Sequence, residues 1–370
     1  MELFINSFKN LPDFRLKRTQ LHELLDVVFI SVCGVICGCD DYMSIKYWAD
    51  DNIAWLKQYI NLSNGVPSDD TFRRIFQFLD YQAFNQCFMD FTQGLSQLTQ
   101  GEVICFDGKC LCGSKNKKLG QKGIYMLGAW ASSNKLLLGQ MKVGEKSNRC
   151  GDPQITAMPQ LLDILVLKGC IVTADALNCQ KEIAAKIIEK EADYVLALKG
   201  NQGTLHQDII SSFENKTPNE TYTKLDKDHG RIEKRVCEII YDLDLLRNKD
   251  EWKNLAAIVK ITSERMVVSE NKMSTEIRYF ITNQCFTAEK TLNAVRLHWG
   301  IENELHWCLD VSFNEDNHRN RIDNSAINFS FLQRITLNLI KKEPTKMSIA
   351  HKRHKAHRDK EFLEKILNPK

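Results

Sequence analysis

No stretch of this 370-residue chain reaches the ~20 consecutive uncharged apolar residues that a membrane-spanning helix needs. The nearest, Leu24 to Cys39, runs for 16 residues and contains Asp26. Met1 to Asn10 lacks the basic patch, apolar stretch and small-residue cleavage site of an export signal, so the expected location is the cytoplasm, with no membrane partner. The thirteen cysteines are odd in number and show no second ligand pair at zinc-site spacing, so they read as reduced thiols used in packing. A phosphate-binding loop is also missing: in Gly139 to Ser147, Glu145 stands where lysine must directly follow the second glycine. There is no nucleophile elbow, no Cys-His signature and no repeat at solenoid periods. What is present is a chain 43% hydrophobic and 26% charged, enough apolar material for two or three packed units.

The net charge of +3 is unevenly placed. Lys341 to Lys370 holds ten Lys/Arg and four Asp/Glu, a net of +6, which leaves −3 for residues 1 to 340. Such an end, which also carries His351, His354 and His357, suits either a polyanion such as nucleic acid or a solvated basic helix.

The first hundred residues read as helical, with Leu21, Leu24, Leu25, Val28 and Val32 at three- and four-residue steps. Pro67-Ser68 breaks the chain, Ser68 can cap a new helix, and Asp69 and Asp70 suit its positive end. Arg73 and Arg74 fall in that helix's first turns, available to DNA phosphates or simply to solvent. From Glu102 short apolar runs predict strands at Val103 to Phe106, Tyr125 to Ala131, Leu136 to Val143, Cys170 to Ala174 and Tyr194 to Leu198. Helices are expected at Ile155 to Val166 and Gln180 to Lys190, making a mixed α/β unit. Residues 204 to 290 read as a β-rich insertion, with runs at Arg235 to Tyr241, Ala256 to Thr262, Met266 to Ser269 and Ile277 to Thr282. Helices follow from Thr287, a plausible cap, through His306 and from Ser325 to Lys341.

Two of the strands end in an acid: Phe106-Asp107-Gly108-Lys109 and Thr173-Ala174-Asp175-Ala176. Carboxylates at the ends of two buried strands can converge on one hard cation such as Mg²⁺, although each alone is equally at home in a turn or a cap. A third acid, Glu302, shares a helical face with Leu305 and Leu309, whereas Glu304 points elsewhere. A carboxylate aimed at a core needs a partner, either a metal ion or a buried arginine. His298, Glu302 and His306 fall four apart on one ridge but lack the order of a zinc hydrolase.

These blocks in order resemble the H-repeat-associated family of insertion-sequence transposases. They comprise Leu11-Pro12-Asp13, Gly65-Val66-Pro67-Ser68, Asp107-Gly108-Lys109, Lys146-Ser147-Asn148, Thr173-Ala174-Asp175-Ala176, Leu198-Lys199-Gly200-Asn201-Gln202, His229-Gly230-Arg231-Ile232-Glu233, His298 to Trp307, and Asp310 with Glu315-Asp316. The resemblance implies a DDE-type enzyme with a ribonuclease H-like α/β core, a helical N-terminal region and a β-rich insertion between the second and third acids. Its expected divisions are 1–100 (helical, DNA-binding), 101–203 (core, first part), 204–290 (insertion), 291–340 (core, second part) and 341–370 (basic tail). It implies a catalytic and metal-holding triad of Asp107, Asp175 and Glu302 with two Mg²⁺ ions, Mn²⁺ able to substitute. It further implies inverted-repeat element ends and target DNA as substrates, and a homodimer on DNA. The DNA-facing residues expected from motif and charge are Lys109, Lys199, Asn201, His229, Arg231, Arg73, Arg74, His298, Lys352, Arg353 and Lys355.

The chain departs from the family pattern in several places. Cys110-Leu111-Cys112 stands where a threonine-leucine-arginine run is usual, and Arg149 to Pro153 interrupt the run after Asn148. Asp69 replaces a histidine in the serine-histidine-aspartate-threonine turn. Where the wider group carries a tyrosine, an arginine and a lysine beside its glutamate, this chain has Val295, His298 and Leu309. The first two departures keep open an inactive DNA-binding relic, and the core alone would also suit a structure-selective nuclease.

Overall fold

Short runs of four to eleven residues, most of them apolar, make strands, and in the computed structural model nine of them share one sheet. They are β1 (Val103–Leu111), β2 (Ile124–Ala131), β3 (Leu136–Lys142), β4 (Ile171–Ala174), β5 (Asp193–Leu198), β6 (Glu220–Asp228), β7 (Arg231–Ile240), β8 (Ala257–Val267) and β9 (Lys272–Thr282). The structure describes residues 1–116, 118, 120–144, 153–228, 230–267, 269 and 272–369. His229 and the run 145–152, with the interruption expected after Asn148, lie outside the described residues.

The strand order is β3-β2-β1-β4-β5-β9-β8-β7-β6. β1, β4 and β5 are parallel to one another, and the remaining pairings are antiparallel. Residues 204 to 290 therefore continue the sheet at β5 and supply its last four strands. Of the run Met266 to Ser269, read as a strand of its own, Met266 and Val267 are the end of β8. β6 has no counterpart among the expected strands. Its sequence, Glu-Thr-Tyr-Thr-Lys-Leu-Asp-Lys-Asp, is dense in charge because it is an outer strand, where charged side chains discourage pairing with other chains.

Each face of the parallel strands packs its own core. Ile104, Phe106, Val172 and Ala174 face the helices Pro153–Ile164 and Lys181–Glu189. Val103, Cys105 and Ile171 face the helix Ala288–His298 and belong to a core continuous with the N-terminal helices. Ser68 does cap the helix Asp69–Phe78, its hydroxyl accepting from the Thr71 amide at 3.2 Å, and Thr287 caps Ala288–His298 in the same way. The helix Ser325–Lys342 is buried on nearly every side. Its Asn338 pairs with both backbone groups of Leu137, covering the outer strand β3, at 3.0 and 2.9 Å.

The basic end is no loose tail. It forms the helices Ile349–Arg358 and Lys360–Leu367, with Phe362, Leu363, Ile366 and Leu367 in the core of the N-terminal helices. Among the described residues no helix is long and apolar enough to cross a membrane.

Candidate active site

Strand register brings two of the acids together. Phe106 of β1 pairs with Ala174 of β4, so the next residues, Asp107 and Asp175, stand side by side where β4 ends; β1 does not end at Phe106 as its sequence suggested but runs on to Leu111 paired with β2, so Asp107 lies within the strand and Gly108 makes no turn. Alternation along a strand sends both toward the face covered by Ala288–His298. The chain continues from that helix into a π-helical turn, Ile301–His306, in which the Trp307 amide donates to the Glu302 carbonyl. Glu302 and Asp175 line one cavity of about 500 Å³ with Thr173, Lys199, Arg278 and Trp299.

Asp107 feels both its burial and the charge of the other two acids. Burial pushes the Asp107 carboxyl up to about 7; a hydrogen bond from the Gly108 amide opposes this, and the neighbouring Asp175 and Glu302 charges add to it. His306 sits with Nδ1 at 3.6 Å from Asp107 Oδ2, too far for a hydrogen bond, and burial holds its pKa down at about 3, so it is neutral. His298 is likewise lowered to about 4 by burial, and its Nδ1 lies 3.0 Å from the Thr173 hydroxyl. Among the described residues, no three His, Cys, Asp or Glu side chains are already gathered closely enough to hold a metal ion.

Glu302 departs from its expected orientation. On a regular helix it would share the face of Leu305 and Leu309; those two are 2% and 0% exposed, yet Glu302 is exposed to the cleft. The π turn inserts one residue and so rotates the preceding turn relative to the following one. Glu304 instead reaches Lys135 at 3.3 Å and Lys341 at 3.7 Å.

Several residues expected at DNA are committed elsewhere. Lys109 is 10% exposed and its ammonium bonds both Asp310 oxygens at 2.7 and 2.8 Å. Lys352 and Arg353 are 4% and 5% exposed. Lys352 donates to the Ile340 carbonyl at 3.1 Å and pairs with Glu343. Arg353 binds the Val35 carbonyl at 3.1 Å, Asp40 at 2.8 Å and the Ser312 carbonyl. Their positive charge answers buried acceptors, which is why these two basic residues do not face solvent. His298 lines the cavity of Asp175 and Glu302 with its Nδ1 on the Thr173 hydroxyl. Asn201, exposed, braces the Ala176 carbonyl at 2.7 Å. Lys199, Arg231, Arg73, Arg74 and Lys355 are exposed; Arg73 pairs with Asp70 at 2.6 Å, and Lys355 lies over the Phe362 ring at 4.4 Å. Lys199 alone of these five lines the cavity shared by Asp175 and Glu302.

Sequence reasoning missed Asn178. It is fully buried, and its backbone amide and side-chain amide both donate to Asp175 Oδ1, at 3.2 and 2.9 Å. An Asp-x-x-Asn spacing after a strand is an available signal, since the asparagine can return to the acid three residues earlier. The ring of acids around Lys109 was also missed, for Asp310, Glu315 and Asp316 are some two hundred residues away in sequence.

With this geometry in view, comparison with known proteins is unambiguous. Residues 99–339 match the transposase DDE domain, and residues 5–92 match the region described as DDE_Tnp_1-associated. The chain is 36% identical to "Putative transposase YncI" of Escherichia coli O157:H7, over 96% of this chain and 92% of that protein. It is 35% identical to "H repeat-associated putative transposase YhhI" of Escherichia coli strain K12, over 96% of this chain and 95% of that one. A piggyBac transposase in a synaptic complex with hairpin DNA is a remote likeness, 12% identical with a TM-score of 0.42 over 99% of this chain and 77% of that one. The fold and the matched domain define a DDE transposase. More narrowly, this chain belongs to the H repeat-associated family of such transposases.

Proposed function

We propose that this protein binds the inverted ends of its element and cuts and rejoins DNA there, with Asp107, Asp175 and Glu302 as the catalytic acids. The observation that carries the reading is the β1–β4 register, which sets Asp107 beside Asp175, together with the cavity that Asp175 shares with Glu302. The order β3-β2-β1-β4-β5 with helices on both faces is then the ribonuclease H-like core, and β6 to β9 are its extension between the second and third acids.

The donor set fits a hard divalent cation. Three carboxylates supply only oxygen, and the raised Asp107 pKa reports a buried negative charge that lacks compensation in the free protein. Asp107, Asp175 and Glu302 would hold Mg²⁺, or Mn²⁺ in its place, and two such ions when bound supply Lewis-acid stabilisation at the attacking and leaving oxygens of phosphoryl transfer. The chain's own part is positioning. Asn178 occupies Asp175 Oδ1 and leaves Oδ2 available. The neutral His306 and His298 add no positive charge that would compete for the carboxylates. Lys199, exposed on the cavity rim, is placed to meet a phosphate. Joining two ends to a target calls for two copies of the chain on DNA.

The test is cleavage of linear DNA carrying the element's ends by the full chain with Mg²⁺. Glu302→Gln is expected to lower the rate by roughly 10²–10³-fold or more while the fold persists, and Glu304→Gln, outside the cleft, to leave it within about twofold. Full cleavage by Glu302→Gln overturns the assignment. An inactive relic is the second reading, favoured by Cys112 and the break in the sequence after Asn148; wild-type protein that binds the ends without cleaving them would establish it.

A further inference from the structure

We propose that Lys109 and Asp310 act together as a positioning clamp that holds the π-helical turn and so keeps Glu302 facing the cleft. The inference rests on the reading of Glu302 as a catalytic acid and assigns Lys109 a role other than DNA contact.

Three observations meet here. The helical run from Ala288 to Ser312 is anchored on both sides of the turn, by Leu292, Ala294 and Val295 before it and by Cys308 and Leu309 after it, with Leu305 anchoring the turn itself, all buried. A regular helix cannot satisfy both anchors and expose Glu302, and the extra residue of the π turn resolves the mismatch. Such a turn persists only where its surroundings over-determine it. The second observation is the tie itself. Lys109 stands two residues beyond Asp107 on β1, so both side chains leave the same face of the strand, and its ammonium grips both oxygens of Asp310, eight residues beyond Glu302. The strand that carries the first acid is thereby fastened to the helix that follows the third.

The third observation is the support behind the tie. Glu315 and Asp316 lie 3.8 and 3.9 Å from the same ammonium, and Glu315 is itself held by Arg334, both 3% exposed. The loop bearing these acids is pressed against the end of β1, since a Cβ on Gly113 would fall 1.7 Å from the His318 carbonyl oxygen. Only glycine allows that approach. A largely buried lysine ringed by three acids is costly unless its geometry is used. Here it sets the phase of the turn.

The experiment measures two things on the full chain: amide hydrogen exchange over residues 301–310, and both the affinity for element-end DNA and the cleavage rate at saturating DNA. Lys109→Met and the milder Asp310→Asn are expected to speed exchange in 301–310 by about tenfold, and to cut the saturated rate about 10–100-fold while the Kd for DNA stays within about twofold. The swapped pair Lys109→Asp with Asp310→Lys is expected to recover part of both. Unchanged exchange in both single variants overturns the clamp, and so does a weakened Kd with normal exchange, which would make Lys109 a DNA ligand. If wild-type protein does not cleave, the functional reading falls, and the exchange arm still decides the clamp.

Discussion

Asp107 concentrates the electrostatic cost of the site in one residue. Its carboxyl titrates at about 7 in the folded protein against 3.8 for an ordinary aspartate, so between those pH values the folded state holds a proton that the unfolded chain has released. For this group stability is greatest below about pH 4 and falls as pH rises toward 7, above which the full cost remains. Without divalent ions, Asp107→Asn is therefore expected to stabilise the protein by roughly 1–3 kcal/mol at pH 8 and by almost nothing at pH 4. Urea unfolding at the two pH values checks this, and an equal gain at both would refute it. His298 and His306 act with the opposite sign. Their folded pKa values lie near 4 and 3, so they contribute stability above 6.5 that is lost as pH falls through those values. Variant and wild type must for that reason be compared at each pH. Part of this residue-level picture was legible in sequence, because an acid following a short apolar run announces itself locally, although β1 continues through Asp107 and Gly108 where the sequence suggested a turn. Asn178 and Lys109 were not read correctly, since their work depends on which acid stands within 3 Å.

At the scale of elements, the decisive pieces are the π turn and the central helix. Periodicity located the helix of Glu302 but assumed 100° per residue throughout, and one inserted residue was enough to turn the acid from core to cleft. The helix Ser325–Lys342 poses a different problem, for it buries Arg334 against Glu315. Removing one partner leaves an uncompensated buried charge. Arg334→Met is expected to cost about 3–5 kcal/mol, and the double variant Arg334→Met with Glu315→Leu to recover most of that. Thermal or denaturant unfolding of the pair measures it. A single variant as stable as wild type would show that the pair contributes little.

For the whole molecule, the basic end binds the chain together. Arg353 crosses to the carbonyl that closes the helix Leu24–Ile36, and Glu364 accepts from Trp55 Nε1 and Tyr59 Oη at 2.9 and 2.7 Å. Deleting residues 349–370 removes Phe362, Leu363, Ile366 and Leu367 from the core, each worth roughly 1.5–3 kcal/mol when buried. The shortened chain is expected to lose more than about 5 kcal/mol, a large share of an ordinary domain's stability. Calorimetry on the two chains decides the matter. An unchanged Tm, with only DNA binding weakened, would return the end to the role its charge first suggested.

The amino-acid sequence by itself determined the parallel strands, the caps at Ser68 and Thr287, the acids Asp107 on β1 and Asp175 after β4, and membership in the transposase family, because each rests on a local pattern of a few residues. It left undecided whatever depends on partners remote along the chain. Net charge could not show that Lys352 and Arg353 are buried, since their acceptors include Ile340, Val35 and Asp40. Periodicity could not show that residues 204 to 290 extend the sheet at β5, because strand order is a matter of packing. Only the tertiary structure decided which way Glu302 faces, since two helix anchors set out of phase by the core require a turn that no local propensity announces.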